Sequence, residues 1–379
     1  MVAETHIQRP NGQVDGAFVG GAGGGFTGVG AVTGETLARF STAFLTDNRP
    51  YNGLIIPAIG PYPLVQDVTF PWFEGSTVSS TSSSAQGAAL HELSHGFQLW
   101  HDFRNDDNFN GNLMGNGLRG IRGALYPKIY PSDDTRLASG SALQLNYNRF
   151  FNKEKVFTED NPPQVNIKTQ GEVAPINGQC PIEFSASDTD SMLAGALLMR
   201  NGGVVAEMPL TGNDVTTTIT TYDYVPGEMD EWIVQVFDMQ GNITTSSGVS
   251  ITCATGVNQA PRPYVRVSKR LLEVGDKIGL DARSSLDPDG NSSQMTVEWD
   301  LNGDGIFDTV PSTEKTFTTT YQKSGVYQIV ARLTDEKGDA SKSMPIGIRV
   351  ETSLPRSKDQ CMHDGWKAFG FKNQGQCIQ

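Results

Sequence analysis

The stretch that decides the first part of this chain is His91-Glu92-Leu93-Ser94-His95-Gly96-Phe97-Gln98-Leu99-Trp100-His101. Residues four apart lie on one face of an α-helix, so a helix here places His91 beside His95. Two such imidazoles can bind one Zn²⁺, and the adjacent Glu92 can accept a proton. His101 can reach the same ion only if the helix ends soon after His95 and the chain turns back. The stretch therefore predicts three imidazole ligands and an open fourth position, which is typical of a catalytic zinc site.

The residues around the motif also favour a helix. Ser83 and Gln86 have the spacing of a capping box, which satisfies backbone amides at a helix start. Leu90, Leu93 and Phe97 recur at helical spacing and predict a stripe that faces the core. The alternative is a surface helix whose polar face binds no metal. Against it, the chain has only five His, and three of them fall in this short stretch.

The stretch resembles the metzincin clan of zinc endopeptidases, whose motif is H-E-x-x-H-x-x-G-x-x-H followed by a Met-turn. The residues that match the motif are His91, Glu92, His95 and His101. Asp102 is similar to the residue after the third His in reprolysin-like members, and Met114 resembles the methionine of the Met-turn. The resemblance implies an α+β catalytic domain over residues 1–157, with zinc held by the three His and Glu92 as general base.

The chain departs from the metzincin pattern at three places. Gln98 stands where the family has a helix-ending Gly, which is favoured there because the reversal needs a positive φ. Either Gln98 adopts that conformation, or the helix ends earlier, at Gly96. Some relatives have a Tyr two residues after the Met, whereas this chain has Asn116. The family's first long helix cannot be placed in this sequence, so we expect an N-terminal portion of the domain to be missing. The sequence does not indicate whether a pro-segment blocks the zinc.

The composition limits the classes of partner that this chain can have. Its 379 residues are enough for two or three domains. Its net charge of −13 argues against nucleic acid or an anionic membrane as partner. No apolar run is long enough to predict a membrane span. The start of the chain, Met1 to His6, lacks the apolar core of a signal peptide, so we expect the signal peptide of a secreted, bacterial protein to lie outside the given chain.

After the linker Asn161-Pro162-Pro163, alternating apolar and polar residues predict strands. Residues 162–255 resemble an Ig-like β-sandwich, and residues 260–351 resemble a PKD domain. The residues that carry the PKD resemblance are Asp287-Pro288-Asp289-Gly290, Trp299 to Gly305 and Tyr321 to Tyr327. The predicted fold class is therefore multidomain: a metzincin-like α+β domain, two all-β sandwich domains (Ig-like, then PKD), and a short disulfide-closed tail over residues 352–379.

The chain has four Cys, and each pair is confined to one segment. This arrangement predicts disulfides Cys180–Cys253 and Cys361–Cys377 and an oxidising compartment. The alternative is four reduced thiols in a cytosolic protein.

The predicted PKD domain contains an acidic loop. Asp300, Asn302, Asp304 and Asp308 present alternate oxygen atoms that suit Ca²⁺. A complete EF-hand loop is excluded, because Pro311 stands where a bidentate Glu belongs. Calcium binding and a metal-free Asx-Gly turn both stay open.

Three functions are compatible with these patterns. The first is a secreted zinc endopeptidase that acts on a protein or peptide substrate. The second is a secreted adhesin or substrate-binding protein whose sandwich domains bind an extracellular polymer and whose zinc site is degenerate or structural. The third keeps the zinc chemistry but acts on a non-protein amide or a glycan. The sequence indicates neither a cleavage preference nor an oligomeric state.

Overall fold

This computed structural model describes residues 78–107, 109–125, 127, 130–152, 161–352, 358–363, 367 and 372–375. Before residue 78 it describes four short strands, which are β1 (Ile7–Gln8), β2 (Val14–Asp15), β3 (Ala22–Gly24) and β4 (Leu37–Arg39). Strand β1 pairs antiparallel with β2, and β3 pairs antiparallel with β4. No helix among the described residues is both long enough and apolar enough to cross a membrane.

The described part of residues 78–152, here called the His segment, contains three α-helices, one 3-10 helix and two short strands. Its elements are α1 (Val78–His95), β5 (Asn110–Asn112), a 3-10 helix (Asn116–Gly120), α2 (Ile121–Leu125), β6 (Asp134–Arg136) and α3 (Ser139–Tyr147). Strands β5 and β6 pair in parallel. A long helix, a short turn region and a final helix thus follow one another along this segment.

The structure corrects two predictions about α1. The helix begins at Val78, so Ser83 and Gln86 lie inside it and do not cap it. Leu90 and Leu93 are exposed by 41% and 44%, so the predicted apolar stripe does not face the core. The buried face of α1 instead carries small and polar residues, because it lies directly against the 3-10 helix. A side chain at Gly87 would overlap the carbonyl oxygen of Leu118.

Two sheets form the first sandwich. Its strands are β7 (Gln164–Ile167), β8 (Gly171–Val173), β9 (Cys180–Ser187), β10 (Leu193–Arg200), β11 (Gly203–Pro209), β12 (Asp214–Thr221), β13 (Met229–Asp238), β14 (Ile243–Thr245) and β15 (Val249–Cys253). One sheet has the order β12-β9-β7, and the other has the order β11-β10-β13-β15-β8 with β14 beside β13. The predicted disulfide Cys180–Cys253 is present and joins the two sheets.

The second sandwich repeats this plan. Its strands are β16 (Arg266–Val267), β17 (Leu271–Glu273), β18 (Lys277–Asp281), β19 (Thr296–Asp300), β20 (Thr316–Thr320), β21 (Gly325–Thr334), β22 (Ala340–Lys342) and β23 (Ile346–Glu351). Its sheets have the orders β16-β18-β20 and β17-β23-β21-β19, with β22 beside β21. In both sandwiches the second strand pairs in parallel with the last one. Both therefore have an immunoglobulin-like plan.

Each sandwich has its own apolar core between its sheets. Phe184 and Trp232 are fully buried in the first, and Trp299 is 2% exposed in the second. Strand β10 is buried on both faces, because the His segment covers the outer face of its sheet. There Trp100 and Leu143 pack against a third apolar cluster, which consists of Ala194, Leu197, Met199, Val204 and Phe237 of the sandwich.

The tail is described only in part. A second 3-10 helix covers Lys358–Cys361, and Cys361 is disulfide-bonded. Cys377, its predicted partner, lies outside the described residues.

Candidate metal centre

The structure brings the three His of the motif together. His91, His95 and His101 each offer one ring nitrogen, and these three atoms lie within 4.8 Å of one another. The ring centroids are 4.9 Å apart for His91 and His95, and 4.8 Å apart for His95 and His101. Three nitrogen ligands about 2.0–2.1 Å from one Zn²⁺ lie at most about 4.2 Å apart, so the three ring nitrogens are close to the spacing that one ion requires. The residues therefore fit a zinc ion.

Hydrogen bonds orient two of the three rings. Nδ1 of His91 lies 2.7 Å from the carbonyl oxygen of Leu113, and Nδ1 of His95 lies 2.9 Å from that of Leu99. A carbonyl can only accept, so each Nδ1 carries the proton and donates it. Nε2 then keeps its lone pair for a metal, which is the usual arrangement around zinc-binding His.

The turn between the second and third His resolves the alternatives at Gln98. Helix α1 ends at His95, and Gln98 adopts the left-handed conformation with φ of 62°. The amide of Leu99 donates to the carbonyl of Ser94, and the amide of Gln98 donates to that of His95. These two bonds form a Schellman motif, which normally has Gly at this position. Gln98 thus adopts the conformation that a metzincin Gly would have.

A residue of α3 supports this turn. Nε2 of Gln144 donates to the carbonyl oxygens of Phe97 and Gln98, at 3.1 and 3.2 Å. Gln144 itself is 2% exposed, so its side chain is shielded from solvent. Because both carbonyls belong to the reversal itself, Gln144 helps to fix the path of the chain from His95 to His101.

Met114, the residue predicted to form a Met-turn, is buried and contacts the motif through its backbone. It is 1% exposed, and its carbonyl oxygen accepts a 3.0 Å hydrogen bond from the amide of Asp102, the residue after the third His. The preceding carbonyl, that of Leu113, is the one bonded to His91. Leu113 and Met114 thus contact both ends of the motif through their backbone carbonyls.

Burial favours neutral imidazoles at the site. Desolvation lowers the pKa of His91, and the hydrogen bond to Leu113 only partly opposes it. Desolvation also lowers the pKa of His101, and the neighbouring His95 and His91 lower it further. A lowered pKa keeps these rings in the form that can bind a metal near neutral pH.

Glu92 lies close enough to the cluster for its negative charge to act on His101, where it only partly opposes the lowering of the pKa by desolvation. The Glu92 side chain is half-buried. Within the described part of the chain, no fourth His, Cys, Asp or Glu joins the three imidazoles. The described residues can therefore supply three imidazole ligands, and the Glu92 carboxylate directly follows the first of them in sequence.

The second sandwich also contains a recognisable family pattern. Residues 258–350 match the family model of the PKD domain. The PKD part of the sequence resemblance is thereby confirmed. The match does not extend to the His segment, and no curated protein matches the chain.

Many solved structures share local likeness with this chain. One, described as concerning carbohydrate-binding modules of the β-sandwich superfamily, is 28% identical over 26% of this chain, with a TM-score of 0.23. The match spans only 37% of that structure's own chain. The fibronectin(III)-like modules of Clostridium thermocellum CbhA are 16% identical over 50% of this chain and 94% of theirs, with a TM-score of 0.19. At these TM-scores, neither likeness supports an inference about function.

The acidic loop of the PKD domain is folded around its own amides. The Asp300 carboxylate is 2% exposed and accepts hydrogen bonds from the amides of Asn302, Gly303 and Gly305. A second Asx-type contact joins the amide of Asp304 to Oδ1 of Asn302, and the Asp308 carboxylate accepts a hydrogen bond from the amide of Leu301. These contacts are those of the Asx-Gly turn. The structure does not gather the three carboxylates of this loop within 4.8 Å of one another.

Sequence reasoning missed the residues that support the motif from other segments. Gln144 gives no local signal, because its role depends on where α3 lies. The outer apolar cluster did have a signal, since Leu193-Ala194-Gly195-Ala196-Leu197-Leu198-Met199 is a continuous apolar run. Such a run predicts a strand that is covered on both faces.

Proposed function

We propose that this chain is a secreted zinc-dependent endopeptidase. His91, His95 and His101 would hold the zinc, and Glu92 would be the general base. The observation that carries the proposal is the convergence of three ring nitrogens within 4.8 Å. Two of the rings have Nδ1 bonded to backbone carbonyls, which leaves Nε2 for the metal.

Zinc, when bound, supplies a Lewis acid that lowers the pKa of water to about 7 and polarises a carbonyl. The Glu92 carboxylate takes the proton of the attacking water and delivers it to the leaving amide nitrogen. Met114, which is buried, would form an apolar floor of the site and would not be a ligand. Because no side chain attacks the substrate, the products are two peptides and no covalent enzyme intermediate forms.

The secreted location is supported by the disulfide Cys180–Cys253, because such bonds persist in oxidising compartments. The two rival functions differ from the peptidase in what the chain would bind or cleave. The adhesin would bind an extracellular polymer through the sandwiches and cleave nothing, whereas a related hydrolase would act on a non-protein amide or a glycan.

The test is zinc analysis of the purified chain together with cleavage of casein by the parent and by Glu92→Gln. We expect bound zinc in both proteins, and cleavage by the variant reduced roughly 10²–10⁴-fold, since only the proton acceptor is lost. Glu183→Gln, an exposed position on β9, is the matched control and should cleave like the parent. Equal cleavage by Glu92→Gln with zinc retained would contradict the mechanism. Bound zinc without casein cleavage would favour a rival.

A further inference from the structure

The third His of the motif is bound to the first sandwich through its own backbone. The carbonyl oxygen of His101 accepts a 2.8 Å hydrogen bond from the amide of Val204, and His101 forms a parallel bridge with Gly203. Gly203 and Val204 begin β11, the edge strand of its sheet. The backbone at His101 is thereby paired with the edge strand of the sheet, whereas His91 and His95 lie on α1.

A buried chain of charges follows directly after His101. The Asp102 carboxylate is fully buried, and both of its oxygens accept hydrogen bonds from Arg104, at 3.1 and 2.6 Å. Nη2 of Arg104 also lies 2.7 Å from Oε2 of Glu207, which is on β11. Burial would lower the pKa of Arg104, but the two carboxylates outweigh it and raise that pKa. The guanidinium stays charged and bridges the His101 loop to the sandwich.

The other oxygen of Glu207 holds α3. Oγ of Ser139, the first residue of α3, donates to Oε1 of Glu207 at 2.5 Å. From the same helix, Gln144 holds the turn at Gln98. Glu207 therefore lies at the junction of two chains of contacts. One reaches His101 through Arg104 and Asp102, and the other reaches the turn between His95 and His101 through α3.

We infer that Glu207 is a positioning residue of the metal centre, so that the first sandwich is a structural part of that centre. Glu207 does not touch the imidazoles. It acts by fixing the loop and the turn that place the third imidazole opposite the two on α1. This inference rests on the proposed zinc site but not on the proposed peptidase activity. Residues that orient metal ligands typically contribute about 10–100-fold to metal affinity.

The experiment measures the zinc dissociation constant of the full chain by competition with a chromophoric chelator. The variants are Glu207→Ala, Glu207→Gln and the control Glu183→Gln, which lies on the opposite sheet of the same sandwich. We expect Glu207→Ala to bind zinc about 10–100-fold more weakly. Glu207→Gln keeps an oxygen for Ser139 but loses the charge that faces Arg104. Its zinc affinity should therefore lie between those of Glu207→Ala and the parent. The control should match the parent.

Two further measurements separate positioning from general stability. The apo melting temperature shows whether each variant is folded, and the visible absorption of the Co²⁺-loaded protein reports the geometry of the ligands. We expect a folded Glu207→Gln with an altered Co²⁺ spectrum. Zinc affinity and a Co²⁺ spectrum equal to those of the parent in folded Glu207 variants would overturn the inference and leave the zinc site intact. A parent that binds no zinc would instead overturn the proposed function.

Discussion

The first sandwich buries large apolar side chains, whereas α1 buries small and polar ones. Phe184 and Trp232 are fully buried among aliphatic neighbours. On α1 the buried residues include Ser83 and His91, and Ser83 bonds to the carbonyl of Arg119. The sandwich thus has a core of its own, while the described part of the His segment relies on close backbone approach, polar contacts and the outer face of the sandwich. The difference predicts that each region is sensitive to a different kind of substitution.

The largest expected effect is in the sandwich core. Phe184→Ala removes a fully buried ring and should lower the free energy of unfolding by about 3–5 kcal/mol. Because the His segment packs on this sandwich, zinc should be lost in the same unfolding transition. Denaturant unfolding with zinc detection checks both. Two separate transitions, with zinc still bound after the first sandwich has unfolded, would show that the His segment is stable without the sandwich.

Gly87→Ala tests the close approach of α1. A Cβ at this position would overlap the carbonyl oxygen of Leu118 in the 3-10 helix, so the helix must shift. We expect a loss of about 1–3 kcal/mol of stability, together with weaker zinc binding, because His91 lies on the same face. Gly347→Ala in β23 is the control, since nothing lies within 4 Å of its added Cβ. Equal melting temperatures of the two variants would argue against this packing.

Asp300→Ala tests whether the acidic loop of the PKD domain is stabilised by its own backbone amides or by a bound cation. The variant removes the acceptor for three backbone amides, so we expect about 1–3 kcal/mol lower stability in EDTA. Asp304→Ala, at an exposed position, should cost less. Thermal melts of the full chain with EDTA and with Ca²⁺ check this. A calcium-dependent rise of the parent's melting temperature that disappears in Asp300→Ala would show that the loop binds calcium.

The smallest expected effect concerns the turn. Gln98 has φ of 62°, a conformation in which Gly avoids the steric cost of a Cβ. Gln98→Gly should therefore stabilise the protein slightly, by about 0.5–1 kcal/mol, and leave zinc affinity unchanged. Chemical denaturation and chelator competition measure the two quantities. A marked loss of zinc affinity would show that the Gln98 side chain itself supports the site.

The sequence predicted the parts of this molecule that follow from local spacing. One helical turn brings His91 next to His95, and alternation predicted the strands of both sandwiches. The contacts of Glu207 could not be predicted in this way, because β11 is about a hundred residues after the motif and nothing local indicates that it reaches Arg104. The prediction that Leu90 and Leu93 face the core was wrong. Periodicity identifies the apolar face of a helix, whereas α1 packs through the face that carries its small and polar residues.

The central claim is that three imidazoles of this chain bind one zinc ion. X-ray absorption at the zinc edge of the full chain measures it most directly, in the parent and in His101→Ala. We predict one zinc per chain with three imidazole nitrogens at about 2.0–2.1 Å in the parent, and two in the variant. A parent with two imidazoles, and the same spectrum after His101→Ala, would contradict the account.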